Sequence, residues 1–364
     1  MPSAAGRSSI QTTRAASCPV CGGAGAVLHA DLTDALFDAG GQWSVRACGT
    51  NGCGTAWLDP RPTAADLGKA YETYYTHAKA TPTGGAPGSE ASSVPEHPRL
   101  RWDDHLFRWL RTGYLALRYH HRRDECGVVR RWLGRLLLLH PDLATRVDLQ
   151  AFHLQPMPGG RFLEIGCGNG DHLATMREFG WNVQGIDADP NAVQAARQRG
   201  LPVTCGTIQQ LGFAPASFDA IGMCHVIEHV DDPAEVLRAC RDLLAPGGRL
   251  VLVTPNIASF GHRRYGRHWL ALDPPRHLRL YTCASLRAAV RAAGFVEESV
   301  KTTVRAGRSQ FLASRSIRRT GHWTWGARAS LGDSLAARLL QYRAFLGLRA
   351  RPESGEEIVL VARR

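Results

Sequence analysis

The stretch from Gly159 to Gly200, GGRFLEIGCGNGDHLATMREFGWNVQGIDADPNAVQAARQRG, constrains this chain more than any other. Arg161–Ile165 is a short apolar strand, and Gly166-Cys167-Gly168-Asn169-Gly170 is a tight turn. A helix is expected from Asp171 to Phe179, then a second strand over Asn182–Ile186 that ends in Asp187. Strand, glycine turn, helix and strand make a βαβ unit. An acid 23 residues after Glu164 stands where a ribose-binding carboxylate belongs.

A glycine turn alone does not choose its ligand. Here the glycines read G-x-G-x-G, and Asp171 occupies the place of the third glycine of a dinucleotide fingerprint. A carboxylate at a helix start repels a pyrophosphate, which seeks bare N–H groups and the positive end of the helix dipole. Glu164 adds a second acid. S-adenosylmethionine has no phosphate and carries a sulfonium and an ammonium, so the acids favour it over a nicotinamide dinucleotide.

Further alternation follows. Ser217–Cys224 reads as a fourth strand, and 244–254 as a helix end, a turn and a fifth strand. Ala284–Ala293 reads as a helix, with Phe295–Val304 and Glu357–Ala362 as the last two strands. The expected fold class is α/β, a doubly wound, Rossmann-like seven-stranded sheet.

In order, FLEIGCGNG, GIDADP, SFDAI, HVIEHVDDP and LLAPGGRLVLVTPN resemble the class I S-adenosylmethionine-dependent methyltransferases, nearest to the ubiquinone-biosynthesis O-methyltransferase-like branch. WLDPRP, YYTH and DPPRHLRLYT resemble a bacterial subgroup with a small metal module ahead of the catalytic domain, some members of which methylate sugars. The cofactor contacts expected are Glu164, Gly166, Cys167, Gly168, Gly170, Asp187, Ala188, Thr207, Ile208, Cys224 and His225. The segment Cys205-Gly206-Thr207-Ile208 lacks the acid that commonly meets the adenine amino group, which leaves that contact to backbone groups.

Asp232-Pro233 with Glu235 is an N-cap, an N1 proline and an N3 acid, so a helix starts at Pro233. His225 to Val230 then lie at the carboxyl edge of strand four, which borders the ligand cleft in such sheets. His229 is the candidate general base, with Glu228 as its orienting partner. His277, in the long polar loop after strand five, is the alternative base, and Arg276 pairs either with an acidic substrate group or with Asp273. Glu228 and His229 also suit a purely loop-holding role.

The N-terminal part carries Cys18-Pro-Val-Cys21 and, after 26 intervening residues, Cys48-Gly-Thr-Asn-Gly-Cys53. Two close pairs, each followed by glycine, read as the knuckles of a structural Zn²⁺ site, the second wider than usual. The remaining six of ten cysteines are scattered, as in a reducing cytoplasm. The expected layout is an unstructured arm over 1–17, a zinc-ribbon-like module over 18–75, a flexible linker over 76–98, a helical segment covering the cleft over 99–150, and the catalytic domain over 151–364 with a helical insert at 305–355. Within 99–150, Trp102, Leu106, Leu110, Tyr114 and Leu117 have helical spacing, continued by Trp132 and Leu136–Leu139. The stripe is expected to pack on the main domain; the alternative is a peripheral contact with an anionic membrane. The leucines of Leu331–Leu348 suit a cleft cap or a homodimer face.

The formal net charge of +12 is arginine excess and favours anionic partners without naming one. No recognisable RNA-binding signature is present, so nucleic acid is not the expected partner. The expected activity is methyl transfer to a small-molecule, glycan or lipid-linked acceptor, most simply a hydroxyl. The alternatives are a sugar C-methyltransferase, an RNA methyltransferase and a non-catalytic S-adenosylmethionine-binding protein.

Overall fold

The structure is a computed structural model that describes residues 10–71 and 101–364, with side chains in the second part described from His105 onward. The linker expected over 76–98 lies outside the described residues.

The N-terminal strands are β1 (Thr12–Thr13), β2 (Gly25–Leu32), β3 (Trp43–Cys48), β4 (Ala56–Leu58) and β5 (Arg61–Pro62). The arm expected to be unstructured over 1–17 differs in its described part. Thr12–Thr13 pairs antiparallel with Arg61–Pro62, and the Gln11 and Ala15 N–H groups donate to Asp66 and Asp59. Short acceptors on the facing segment satisfy this backbone, which composition alone does not reveal.

The next segment holds α1 (Arg101–Arg118), α2 (Val128–Leu133), a 3₁₀ turn over Gly134–Leu139 and α3 (Leu143–Gln150). Its inner residues, Tyr114, Leu115, Val147 and Phe152, join Phe162, Leu173, Met176 and Trp181 in one core on the first face of the main sheet. Gly222 makes room for this packing: a Cβ there would sit 2.5 Å from the Phe152 ring. Burying a Phe side chain of this kind contributes about 1.5–3 kcal/mol. The expected stripe is only half right. Leu110 and Tyr114 turn inward, but Leu106, Trp132, Leu136, Leu138 and Leu139 are exposed, and of the 136–139 leucines only Leu137 is buried.

The main domain runs β6 (Arg161–Ile165), α4 (Asp171–Glu178), β7 (Asn182–Asp187), α5 (Pro190–Gln198), β8 (Val203–Cys205), β9 (Phe218–Cys224), α6 (Pro233–Leu243), β10 (Leu244–Pro255), α7 (Phe260–Tyr265), β11 (Arg279–Leu280), α8 (Cys283–Ala292), β12 (Val296–Thr303), α9 (Gly307–Thr320), α10 (Leu331–Gly347) and β13 (Glu357–Arg363). The seven-stranded sheet has the order β12-β13-β10-β9-β6-β7-β8. β13 runs antiparallel to both neighbours, while β10, β9, β6, β7 and β8 are mutually parallel. Helices α6 and α8 cover the second face through Val236, Leu237, Leu286 and Val290. Apolar helices on both faces of a mostly parallel sheet make the doubly wound architecture.

Apart from a small cluster of Cys18, Cys53 and Trp57, the N-terminal segment shares its core with the main domain. β11 of the main domain is the edge strand of its sheet, in the order β11-β4-β3-β2, with Arg279 opposite Trp57 and Leu280 opposite Ala56. Trp43, Val45 and Leu58 share a third core with Tyr265, Trp269 and the α9 residues Phe311 and Ile317. Tyr265 and Trp269 are thereby buried. Among the described residues, no helix is long and apolar enough to cross a membrane.

Candidate active site

The glycine turn sits between β6 and α4 at the carboxyl edge of the parallel strands. Gly166, Gly168 and Gly170 all have positive φ, at 68°, 53° and 81°. A Cβ at Gly166 would strike Val226 at 2.4 Å and one at Gly170 would strike Leu201 at 2.3 Å, whereas Gly168 faces open space. The turn is therefore sterically fixed at its ends and open in its middle, where a ligand can approach the backbone.

Three acids border this turn, and their states differ. Asp187 accepts from the Gly168 N–H (2.8 Å) and the Asp189 N–H (2.9 Å), and burial pushes its carboxyl up. Glu164 accepts from His172 Nδ1 (2.9 Å), while its Oε2 is buried without a hydrogen-bond partner in the protein. Burial raises Glu164 as well. An unmatched carboxylate oxygen beside an open glycine turn suits a cationic ligand such as the ammonium of S-adenosylmethionine. Asp171 is different: Arg199 Nη1 binds it at 2.7 Å. The case against a pyrophosphate therefore rests on Glu164 and Asp187 and not on Asp171.

The other expected cofactor contacts divide. Ala188 is exposed beside Asp187, and its carbonyl lies 3.8 Å from Cys205 Sγ. Thr207 is exposed, but its N–H is taken by Gln210 Oε1 (2.9 Å). Ile208 and Cys167 point into the two cores of the sheet. Cys224 ends β9, its thiol pushed up by burial.

His225 follows with φ 56°, a left-handed conformation that turns its ring between two carboxylates. Its Nδ1 lies 3.2 Å from Glu228 Oε1, and its Nε2 lies 2.8 Å from Glu357 Oε1. Burial alone would lower this imidazole, but Glu228 and Glu357 outweigh it and hold it at about 9. Arg305 donates to the same Glu357 carboxylate. Glu228 is fully buried, accepts from Thr254 Oγ1 (3.0 Å) and is held well below the usual carboxylate range by His225. Glu228, expected as the orienting partner of His229, spends its hydrogen bonds on His225 and Thr254, because the turn at His225 aims its ring back at residue 228.

His229 instead meets Tyr71 Oη (2.9 Å) and the Arg276 carbonyl (3.1 Å) through Nδ1. Its ring centroid is 4.6 Å from that of His277, whose Nδ1 donates to the Ala271 carbonyl (2.8 Å). Burial lowers both imidazoles, His229 to about 4 with further help from His277. Two neutral histidines thus face each other. Ligating atoms of Glu228, His229 and His277 lie within 4.8 Å of one another, close enough to hold one divalent ion.

Arg276 is fully buried and does not face a substrate. Asp34 holds it in a two-pronged pair (2.7 and 2.8 Å), and Asp273 binds it as well. Backbone N–H groups of Leu278 and Arg279 donate to the Glu228 carbonyl, and Arg279 caps the Val230 and Asp231 carbonyls. Asp232 caps α6 through the Glu235 N–H (3.0 Å). Sequence reasoning missed Tyr71, Asp34, Thr254, Arg305 and Glu357, all far from the His225–Val230 segment in the chain.

The four N-terminal cysteines converge. Cys18 and Cys53 Sγ are 3.7 Å apart, Cys21 and Cys48 Sγ are 3.4 Å apart, and the four thiols lie within 4.8 Å. A tetrahedral zinc with Zn–S of about 2.3 Å has S···S edges of about 3.8 Å, so the set fits Zn²⁺. Trp57 packs on this cluster, and Thr282 Oγ1, the cap of α8, donates to the Cys53 carbonyl (2.7 Å).

Comparison with known proteins identifies the family. A model of the methyltransferase domain matches residues 104–300. The ubiquinone biosynthesis O-methyltransferase of Xanthomonas axonopodis pv. citri (strain 306) is 34% identical over 175 residues, 44% of this chain and 73% of that protein. The protein of the same name from Cereibacter sphaeroides (strain ATCC 17025 / ATH 2.4.3) is 36% identical over 144 residues, 37% of this chain and 58% of that one. An S-adenosylmethionine-dependent methyltransferase structure from Mesorhizobium loti aligns with a TM-score of 0.42 at 19% identity, covering 60% of this chain and 97% of that one. With more than half its length matched by the domain model and the glycine turn and acids in place, the chain belongs to the class I S-adenosylmethionine-dependent methyltransferases.

Proposed function

We propose that this enzyme methylates a hydroxyl of a small-molecule, glycan or lipid-linked acceptor, with His229 as general base. The observation that carries the reading is the neutral pair His229 and His277 at the sheet edge. Oxygen as the acceptor atom is supported by relatives named as O-methyltransferases.

S-adenosylmethionine supplies an activated methyl group; the chain supplies position and a proton acceptor. Gly166, Gly168, Gly170, Glu164 and Asp187 hold the cofactor. His229 keeps its proton on Nδ1, shared between the Arg276 carbonyl and Tyr71 Oη, which leaves Nε2 bare to take the acceptor proton. Glu228 stays ionised in its pair with His225 and favours the imidazolium that forms on His229. Zn²⁺ on Cys18, Cys21, Cys48 and Cys53 has a structural role, because a four-thiolate site leaves no open position.

A second reading rests on the convergence of Glu228, His229 and His277: a divalent ion held there would lower the pKa of an acceptor hydroxyl. Transfer of radiolabelled methyl to fractionated small-molecule, glycan and lipid extracts identifies the acceptor. His229→Ala is expected to lower kcat by about 10²–10⁴ while S-adenosylhomocysteine still binds. Full activity of that variant, with loss in His277→Ala, moves the base to His277. Loss of activity on chelation that restored zinc does not rescue, but Mg²⁺ does, favours the metal reading.

A further inference from the structure

The segment Val128–Leu139, VVRRWLGRLLLL, is apolar on the wrong side for a core element. Val129 and Leu139 are each about 70% exposed, at 70% and 71%, and Val128, Trp132, Leu136 and Leu138 are also open to solvent. Leu137 alone points down into the first core.

This exposure is built into the packing. A Cβ at Gly113 of α1 would lie 2.1 Å from the Arg130 carbonyl oxygen, and one at Gly134 would lie 2.3 Å from the Tyr114 nitrogen. The two glycines let the segment lie directly on α1, and Arg130 Nε fixes it there by donating to the Trp109 carbonyl (3.0 Å). Rotating this plate of residues 128–139 to bury its leucines would break this fit, so the packing itself turns the apolar side outward.

The charges on the plate have one sign. Arg130, Arg131 and Arg135 lie within it, and no acid occurs from Cys126 to Pro141; Arg122, just before it, is paired with Glu125 (2.7 Å). Arg135 stacks over Trp132 at 3.9 Å, and Arg130 lies over Trp109 at 5.4 Å. Tryptophan paired with arginine beside exposed leucines is the chemistry of a water–lipid boundary, where the rings sit at headgroup depth and the guanidinium groups meet phosphate.

The plate adjoins the active site. Three residues beyond Leu139, Asp142 accepts from the Ala306 N–H (3.0 Å), next to Arg305, which shares Glu357 with His225. His140 also meets the Tyr342 ring at 6.0 Å on α10, where Leu335, Leu339 and Leu346 are exposed.

We propose that this surface docks the enzyme on an anionic phospholipid bilayer. A second copy of the chain fits less well, since a twofold contact through the plate would set the same arginines against one another. A lipid surface provides both an apolar layer and negative charge. Binding is read without turnover, so this inference stands or falls apart from the identity of the methyl acceptor.

The test is flotation of the full-length protein with vesicles of phosphatidylcholine, alone or mixed with phosphatidylglycerol. The protein is expected to partition onto the mixed vesicles about tenfold or more above the neutral ones. The triple variant V129S/W132S/L139S leaves the charge unchanged and is expected to lose about tenfold of this partition while binding S-adenosylhomocysteine normally. If the triple variant does not fold, V129D serves in its place, and the same loss is expected. Failure of the native protein to float on mixed vesicles overturns the proposal. So does undiminished flotation of the variants, which would mean adsorption by net charge alone. A native dimer that the triple variant splits into monomers would make the plate an interface between copies and also overturn it.

Discussion

The Tyr71 hydroxyl lies 2.9 Å from His229 Nδ1, although 158 residues separate the two in the chain. The N-terminal segment therefore reaches the proposed base. Two anchors bring it there. Arg276, held by Asp34, donates to the Ala70 carbonyl (3.2 Å) directly beside Tyr71, and Arg61 ion-pairs with Asp231 in the loop that follows His229.

Tyr71→Phe removes one hydrogen bond from His229 and leaves the ring in place. A hydrogen bond of this type contributes about 1 kcal/mol, so kcat is expected to fall about fivefold. The dissociation constant of S-adenosylhomocysteine should not change, since the hydrogen bond removed is the one to His229. Steady-state kinetics with calorimetric titration checks the split. A fall in cofactor affinity equal to the fall in kcat would show a general structural role instead.

His225 predicts a pH dependence of stability. Its folded-state pKa, about 9, lies above the value near 6.5 of an exposed histidine. The folded state thus holds the proton more tightly. The contribution is complete below about pH 6.5 and is lost as pH rises through about 9. Thermal unfolding of the native protein and of H225Q, followed from pH 6 to pH 10, checks this. The variant should melt lower at pH 6, and the gap should close toward pH 10. A gap that stays constant would mean that the two glutamates do not hold a proton on the ring.

The sheet was legible because its signals are local. The β6 turn, the Asp232 cap and the apolar runs each lie within about ten residues, and periodicity reads them well. The stripe on α1 was half legible: the period was right, but Gly113 and Gly134 draw the following segment onto the helix and leave Trp132 and Leu139 outside. The site was legible only in part. Glu228, His229 and His277 do converge, yet the partner of Glu228 is His225, a consequence of one positive φ. Glu357 and Arg305 enter through the antiparallel strand β13 and the turn before α9, and pairing across 132 residues leaves no trace in spacing. Of the two partners the sequence offers Arg276, a substrate acid or Asp273, the structure has Asp273, and Asp34, 242 residues away, closes over the same guanidinium.

The Asp34–Arg276 pair is buried on both sides, so breaking it leaves a guanidinium without its best partner. Removing one member of such a pair typically costs about 3–5 kcal/mol. Asp34→Asn should fall at the lower end, because Asp273 still binds Arg276. Urea denaturation checks the value. Asp34→Asn should also lower kcat, since the same arginine anchors Ala70 beside Tyr71. A stable, fully active D34N would separate this pair from the site.

Removal of the proposed zinc tests how the N-terminal segment is coupled to catalysis. The four thiols close a sheet whose edge strand is β11, and the Cys53 carbonyl is held by Thr282 at the start of α8. Losing the metal would release β3 and β4 and, through them, Tyr71 and Asp34, while the glycine turn on β6 belongs to a different sheet. Metal analysis should find one zinc per chain in the native protein and about none in C18S or C53S. In these variants methyl transfer should fall about tenfold or more, whereas S-adenosylhomocysteine affinity should stay within about threefold. Equal loss of both would mean that the whole chain unfolds with the metal. Full activity without zinc would show that β11 alone holds Tyr71 against His229.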